Sequence, residues 1–549
     1  MAGREVMKLE RKVNGEWRCV AEWESDCEVR KITSEAEERE VFLRLFVPIL
    51  DIQGYWIPSL RTPEPRVKWV IESQSAGQRD FPFLIFLNSA QQNICAVGLD
   101  CLQNDVAICA RVNQETCNYE ITLRVVMPSE DRSFCVQINR HRKIWTEVLA
   151  EWRHFVHVPA PKFPPAAWKP VYCTWYAAHA AVEQDWVERN AEIAAKLGFG
   201  TLIVDDGWCF DAMKRVSPQT IDTWYEMIGD WVLSTKKFPD FNTHRARVQA
   251  LGLKYLLWAT PFLIGAKSRF YREFKECCGP ICHEGCYTLD PACEAAKKEM
   301  IRRLSSLVND HGLDGLKIDF LDQITPNCDT PRGRETSQFI AELSAAIREC
   351  KSDALIEFRE SYATVAMLPF GTQFRAGDVP FDFLDNFQRI VKIRVGMGDC
   401  IPVHADPAYW HPQESPDNIS RHMIAAMAGV PMLSMDLTKI SEMERLIIGN
   451  WLKFYATHLE HFQAARWQAS YQWGITEFLS STTDGRRIVI LNHADAVQRA
   501  SADFQGELIL LNMTPESIEC PGAACLDCLG NPTKVLRPGG RAALQISGE

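Results

Sequence analysis

No stretch of this 549-residue chain approaches the roughly 18 consecutive apolar residues of a membrane-spanning helix, so a helical membrane protein is not the expectation. There is no basic tract. Acidic side chains outnumber basic ones, 71 to 60, for a net charge of −11, which gives nucleic acid or anionic lipid no electrostatic hold. Low-complexity segments and internal repeats beyond the β-α rhythm are also missing, and the ordinary apolar and charged fractions make disorder, collagen and coiled coil poor readings. Near the start, Met1-Ala2-Gly3-Arg4-Glu5-Val6 runs on through charged positions without the apolar stretch of a secretory signal. The expectations are a cytoplasmic protein and cysteines that are reduced, most of the 20 serving as small core hydrophobes. What remains is an ordinary folded composition, 46% apolar and 24% charged, long enough for two to four domains.

Residues 1–140 alternate apolar and polar positions, as in Val41-Phe42-Leu43-Arg44-Leu45-Phe46-Val47 and Ile121-Thr122-Leu123-Arg124-Val125-Val126. This predicts an N-terminal antiparallel β-sandwich. A helix near 143–154 and the prolines 159, 161, 164, 165 and 170 make up a linker over 141–170, because proline ends helix and holds the chain extended. From 171 to 464, short apolar strands alternate with amphipathic stretches, the rhythm of repeated β-α units. Eight strands are predicted, at 171–176, 201–208, 254–260, 315–320, 354–360, 372–378, 401–405 and 430–436. One intervening helix should bury Trp186, Asn190, Ile193 and Leu197 before Gly198, and another Ile301, Leu304 and Leu307 or Val308 before Gly312. Eight units of this size fit a (β/α)8 TIM barrel, closed by a long helix over 441–462. Alternation returns in 465–549, which predicts a small C-terminal antiparallel β-domain.

Reacting groups of such barrels lie at the C-terminal ends of strands. Here those ends carry mainly carboxylates and tryptophans: Trp175 after strand one, Asp205, Asp206 and Trp208 after two, Trp258 on three, Lys317 and Asp319 on four, Arg359 and Glu360 on five, Arg375 and Asp378 on six. Indole walls over an acidic floor suit a neutral polyhydroxylated ligand, since carboxylates accept hydroxyl hydrogen bonds and aromatic faces cover sugar C–H patches. Cleaving a glycosidic bond takes one ionised carboxylate and one that carries a proton. Lys317 and Asp319, two apart on one strand, share a face, so the ammonium should lower the Asp319 carboxyl and suit it to be nucleophile. Asp378, near that charge and in a partly apolar setting, should be raised and serve as acid and later as base. Glu360 is its chief rival. A Lys-x-Asp strand end is also a common structural ion pair, and adjacent acids such as Asp205 and Asp206 commonly cap turns.

The run Cys173-Thr174-Trp175-Tyr176, the pair Asp205-Asp206 with Trp208, Ile228-Gly229-Asp230-Trp231 leading to Lys237-Phe238-Pro239, Leu257-Trp258-Ala259-Thr260-Pro261-Phe262 and Lys317-Ile318-Asp319-Phe320-Leu321 resemble the α-galactosidases of glycoside hydrolase family 36, in the same order and spacing. The resemblance is to the shorter, prokaryotic melibiase-like type. It implies Asp319 as nucleophile, Asp378 as acid/base, Asp205 and Asp206 on the sugar's O4 and O6, Lys317 on ring hydroxyls, Trp175 and Trp258 as pocket walls, and Arg375 beside the acid/base. It further implies a retaining mechanism without metal or organic cofactor, a small carbohydrate as partner, and self-association. One departure stands out. Where the family carries a cysteine- and glycine- or serine-containing segment after strand five, this chain has Phe358-Arg359-Glu360-Ser361-Tyr362, so the C2 substituent of the sugar is open. Transglycosylation, a C2-modified or charged sugar, a non-catalytic sugar-binding protein and a metal-dependent hydrolase remain as alternatives.

Asp322, Asp406 and Asp436 receive no role. His404, Trp410 and His411 share one loop, either shaping an outer subsite or packing. The cluster Cys277, Cys278, Cys282, His283 and Cys286, with Cys293 beyond, has zinc-type ligands without a standard finger spacing, and no metal is expected there. Cys525-Leu526-Asp527-Cys528 lacks the helix start that activates redox pairs, and Gly396-Met397-Gly398 follows no strand and is no dinucleotide loop.

Overall fold

The alternating N-terminal segments form strands whose inward residues make one core. In Glu40–Pro48 and Asn118–Val126 every second side chain is buried. Their register sets Leu43 opposite Leu123 and Leu45 opposite Ile121. A six-stranded and a five-stranded sheet, antiparallel throughout, build the sandwich. Phe83–Leu87 is buried on both faces because the helix Trp145–Val156 covers the outer one, with Trp152 stacked 4.9 Å from Phe81 and tilted against Phe83 at 5.4 Å. The computed structural model describes residues 7–547 except 24, 160, 212–224, 282–284, 324–332, 380 and 473. By contacts the chain divides into two compact units, residues 1–160 with 329–338 and 364–369, and residues 161–328 with 339–363 and 370–549.

All eight predicted barrel strands form: Val171–Cys173, Thr201–Val204, Lys254–Ala259, Gly315–Ile318, Leu355–Arg359, Gln373–Arg375, Val403–His404 and Met432–Leu433. They pair in parallel in chain order, and strand eight returns to strand one through Val171↔Met432 and Tyr172↔Leu433. Between strands seven and eight the ring is joined by the bridges His404↔Val430 and Ala408↔Leu433. The helices Gln184–Leu197 and Glu294–His311 end at Gly198 and Gly312, both in left-handed backbone that favours glycine.

Four expectations need correction. The first helix buries Val187, Asn190, Ala191 and Ala194, which shifts its inner stripe by one position and leaves Trp186, Ile193 and Leu197 half-buried at the flanks. The long helix over 441–462 is two helices, Glu442–Thr457 and Leu459–Ala464, interrupted at His458. Its start carries a capping box between Ser441 and Glu444, worth about 1 kcal/mol. The C-terminal seven-stranded sheet is mixed, because the short helix Ala496–Ser501 carries the chain over so that Arg486–Leu491 and Gly506–Asn512 run parallel. Finally, Cys277 and Cys293 are joined in a disulfide, so the thiols are not all reduced. Among the described residues, no helix is long and apolar enough to cross a membrane.

Candidate active site

At the end of strand two, the chain turns with Asp205 and Asp206 both buried. The Asp205 amide donates to Thr174 Oγ1 at 2.9 Å, while its Oδ2 accepts Lys317 Nζ at 2.5 Å and the Cys173 thiol at 3.1 Å. Burial alone would drive the Lys317 ammonium to lose its proton, but Asp205 outweighs it and holds the lysine above its ordinary value. Lys317 lowers the Asp319 carboxyl as expected, but its hydrogen bond does not run along its own strand. It crosses instead to strand two. Burial, and then the charge of Asp206, hold the Tyr225 hydroxyl well above its ordinary value. Trp175, after strand one, is half-buried, its ring 4.6 Å from that of His179.

Asp319 sits just beyond strand four. Its Oδ2 accepts the Trp258 indole N–H at 2.9 Å. Its Oδ1 accepts three donors: the Phe320 amide at 2.7 Å, the Tyr362 hydroxyl at 2.7 Å and Arg359 Nε at 2.5 Å. Burial would push this carboxyl up, but the guanidinium of Arg359, then Lys317 and Arg375, hold it far below the usual carboxylate range. Asp319 is therefore ionised and fixed in direction. Trp258 is aimed by packing: Trp208 donates its indole N–H to the Trp258 carbonyl at 2.8 Å, and Trp231 lies 6.1 Å from Trp208 and 5.9 Å from Trp258. Trp208 is fully buried, so it braces Trp258 from behind.

Strands five, six and seven supply the other half. Arg375, fully buried, donates from Nη1 to Asp378 Oδ1 at 2.9 Å and also to Asp406 Oδ1. Its Nε lies 3.6 Å from Glu357 Oε1. The Asp378 side chain is 51% exposed. Its carboxyl was expected to be raised, and the structure reverses this: burial acts upward, but Arg375, Arg359 and Lys317 together hold it below its ordinary value. Asp406 accepts Tyr176 Oη and the Val379 amide, each at 2.8 Å, and burial pushes it up to about 7.

Arg359 and Glu360 are adjacent, and the structure separates them. Strand alternation sends Arg359 to Asp319 and Glu360 toward the helix Phe383–Met397, where Lys392 Nζ donates to it at 2.9 Å and Arg389 at 3.3 Å. Burial opposes ionisation of Glu360, yet these cations keep its carboxyl below the ordinary value. Engaged with that helix, whereas Asp378 is bound to Arg375 and feels the charge of Asp319, Glu360 is a poor rival to Asp378 as proton donor. His404 is buried with Nε2 2.7 Å from the Ala167 carbonyl, and burial lowers its imidazole to about 4. Trp410 is buried too and donates to Glu444 at 2.8 Å, so neither shapes an outer subsite; His411 is exposed. Of the cysteine cluster, Cys282 and His283 lie outside the described residues, and Cys277 is taken by its disulfide.

Two groups escaped sequence reading, Asp406 and Tyr362. Alternation from His404 places Asp406 on the inward face of strand seven, and alternation from Arg359 would have ranked it above Glu360. Tyr362 lies past the strand, where no period applies.

A sequence model of the melibiase family matches residues 156–343, which take in strands one to four with Asp205, Asp206, Trp258, Lys317 and Asp319. The first half of the barrel is thus similar to the melibiase family in sequence. Probable alpha-galactosidase C of Aspergillus flavus is 25% identical over 181 residues, 30% of this chain and 23% of that protein. Alpha-galactosidase AgaA of Geobacillus stearothermophilus is 28% identical over 105 residues, 19% of this chain and 13% of its own length. The matched segments thus span a quarter or less of these curated relatives. The crystal structure of GH36 alpha-galactosidase AgaA superposes with a TM-score of 0.65 at 15% identity, covering 83% of this chain and 70% of that one. At this identity the likeness is one of fold. Arg359, Arg375, Asp378 and Asp406 lie beyond the segment matched by the family model.

Proposed function

We propose that this protein is a retaining exo-α-glycosidase that hydrolyses terminal α-linked, galacto-configured sugars by double displacement. One observation carries the reading. Asp319 and Asp378 are acted on by the same three cations, Arg359, Lys317 and Arg375, and Asp378 also by the charge of Asp319, so two carboxylates share one field at the strand ends. Three of the four donors to Asp319 converge on Oδ1, leaving Oδ2 with Trp258 alone among the described residues. Oδ2 is then the oxygen with a lone pair for the anomeric carbon.

In the first step Oδ2 bonds to that carbon from the β face while Asp378 gives its proton to the departing oxygen. In the second, ionised Asp378 takes a proton from water, whose oxygen attacks from the α face and releases Asp319. The product forms as the α-anomer. Arg359 and Tyr362 draw charge from Asp319, which makes it a better leaving group in the second step at some cost to attack in the first. Asp205, Asp206 and Lys317 present acceptors and a cation to the sugar's hydroxyls, and Trp175 offers its half-buried indole as a wall.

The comparisons support galacto configuration through relatives named alpha-galactosidases. The position of Arg359 favours a second reading, an α-glycosidase for a C2-modified or charged sugar, because a buried guanidinium beside the nucleophile fills space and prefers an acceptor or anion. Turnover of a panel of nitrophenyl α-glycosides, including 2-acetamido and uronic forms, separates the two. NMR of fresh product tests the mechanism: α-anomer first is expected, and β-anomer first contradicts a covalent route. We infer a cytoplasmic location and self-association, supported by the sequence pattern and the family resemblance respectively.

A further inference from the structure

Phe381 follows the candidate proton donor Asp378 by three residues, which keeps their Cα atoms within about 11 Å. Its side chain is 58% exposed, and its φ of 69° is a left-handed backbone setting that bulky residues avoid. An isolated exposed phenylalanine would be unremarked. This one is neither isolated nor comfortable. Its ring centroid lies 5.0 Å from that of Tyr409, and Tyr409 lies 6.0 Å from Tyr176. The Tyr176 hydroxyl donates to Asp406 at 2.8 Å, and Arg375 bonds both Asp406 and Asp378. The Val379 amide ties the same loop to Asp406 at 2.8 Å. The aromatic row is thereby held in place relative to the proton donor.

We propose that Phe381 and Tyr409 form the leaving-group subsite, a shelf for the apolar face of a second sugar ring. The inference rests on Asp378 being the proton donor: the leaving oxygen must lie within hydrogen-bond reach of it, so the leaving group extends from there onto the nearest surface. Aromatic faces pack on sugar C–H patches, whereas the charged groups of the floor suit hydroxyls. The subsite adds binding without new chemistry, since the ring it holds departs with the proton from Asp378.

The test compares three substrates in the full chain: α-galactosyl fluoride, which has no ring to place on the shelf, p-nitrophenyl α-galactoside, and a disaccharide with α-galactose at its non-reducing end. In Phe381→Ala the ratio of kcat/KM for the disaccharide to that for the fluoride should fall about fivefold to tenfold, through KM, with the nitrophenyl substrate following. Phe381→Trp, which keeps an aromatic face, should restore most of that ratio. An unchanged ratio in Phe381→Ala, or a loss equal on all three substrates, overturns the shelf while leaving the hydrolase reading standing. Failure of the wild-type protein to turn over the fluoride overturns both.

Discussion

The two halves of the strand-end cluster are built differently. On strands two to four, Asp205 with Lys317 and Trp258 with Asp319 are buried pairs, and all four residues lie inside the segment matched by the melibiase model. On strands five to seven, Arg359, Arg375, Asp378 and Asp406 lie outside it, Asp378 is half exposed, and one guanidinium divides itself between two carboxylates. The first half fixes an ionised carboxylate in place. The second adds Arg359 and Tyr362 to the hold on Asp319 and, in the reaction proposed above, would handle the proton. A barrel separates these tasks readily because each strand end can change without disturbing the next.

Breaking the rigid half should cost most. Lys317→Met strands Asp205 as a buried charge without its partner and should destabilise the protein by about 3 to 5 kcal/mol, read as a lowered unfolding midpoint together with lost turnover. If stability is unchanged, the pair is not the anchor proposed here. In the other half, Asp378→Asn should lower kcat/KM by roughly 10²- to 10⁴-fold on an alkyl α-galactoside, yet far less on α-galactosyl fluoride, whose leaving group needs little protonation. An equal loss on both would remove Asp378 as acid.

Arg359→Ala sharpens the contrast, since it takes one strong donor from Asp319 Oδ1 while Tyr362 and the Phe320 amide remain. A hydrogen bond to a charged group of this kind is worth about 1.5 to 3 kcal/mol. Turnover should fall roughly 10- to 100-fold, and the ranking of sugars differing at C2 should change. A uniform loss across the panel would assign Arg359 to the nucleophile alone.

The smallest effect is expected from Asp406→Asn. Its carboxyl lies at about 7, and as its ionised form fills it takes a growing share of Arg375. Removing that charge leaves Arg375 to Asp378, facing Arg359, Lys317 and Asp319 as before. The acid/base should then release its proton more easily, so the alkaline limb of kcat/KM moves to lower pH, with turnover reduced roughly tenfold or less. A limb that stays in place would make Asp406 a packing residue only.

Much of this was readable from residue order. Eight apolar runs, each ending in polar or aromatic residues, marked the strands, because a barrel buries its strands and exposes their ends. Asp319 and Asp378 stood at such ends. What escaped were partnerships across strands. Lys317 and Asp319 share a face, as the period of two requires, but the neighbouring strand brings Asp205 within reach of the ammonium, and no local pattern contains that pairing. The upward shift expected for Asp378 failed chiefly because Arg375, recognised only as a neighbour in sequence, bonds it directly, with Arg359 arriving from strand five. Strict alternation separates Glu360 from Arg359, and the structure engages it with Lys392 and Arg389. The pairing of Cys277 with Cys293 was one choice among several nearby cysteines, and spacing does not select it.

The role of Asp319 is open to direct trial by chemical rescue. Asp319→Gly should be inactive alone and, given azide and an activated α-galactoside, should release β-galactosyl azide, because the small anion attacks from the face the carboxylate has vacated. If azide restores nothing to Asp319→Gly, while Asp378→Gly with azide yields the β-azide, the nucleophile sits on strand six and the assignment made here is wrong.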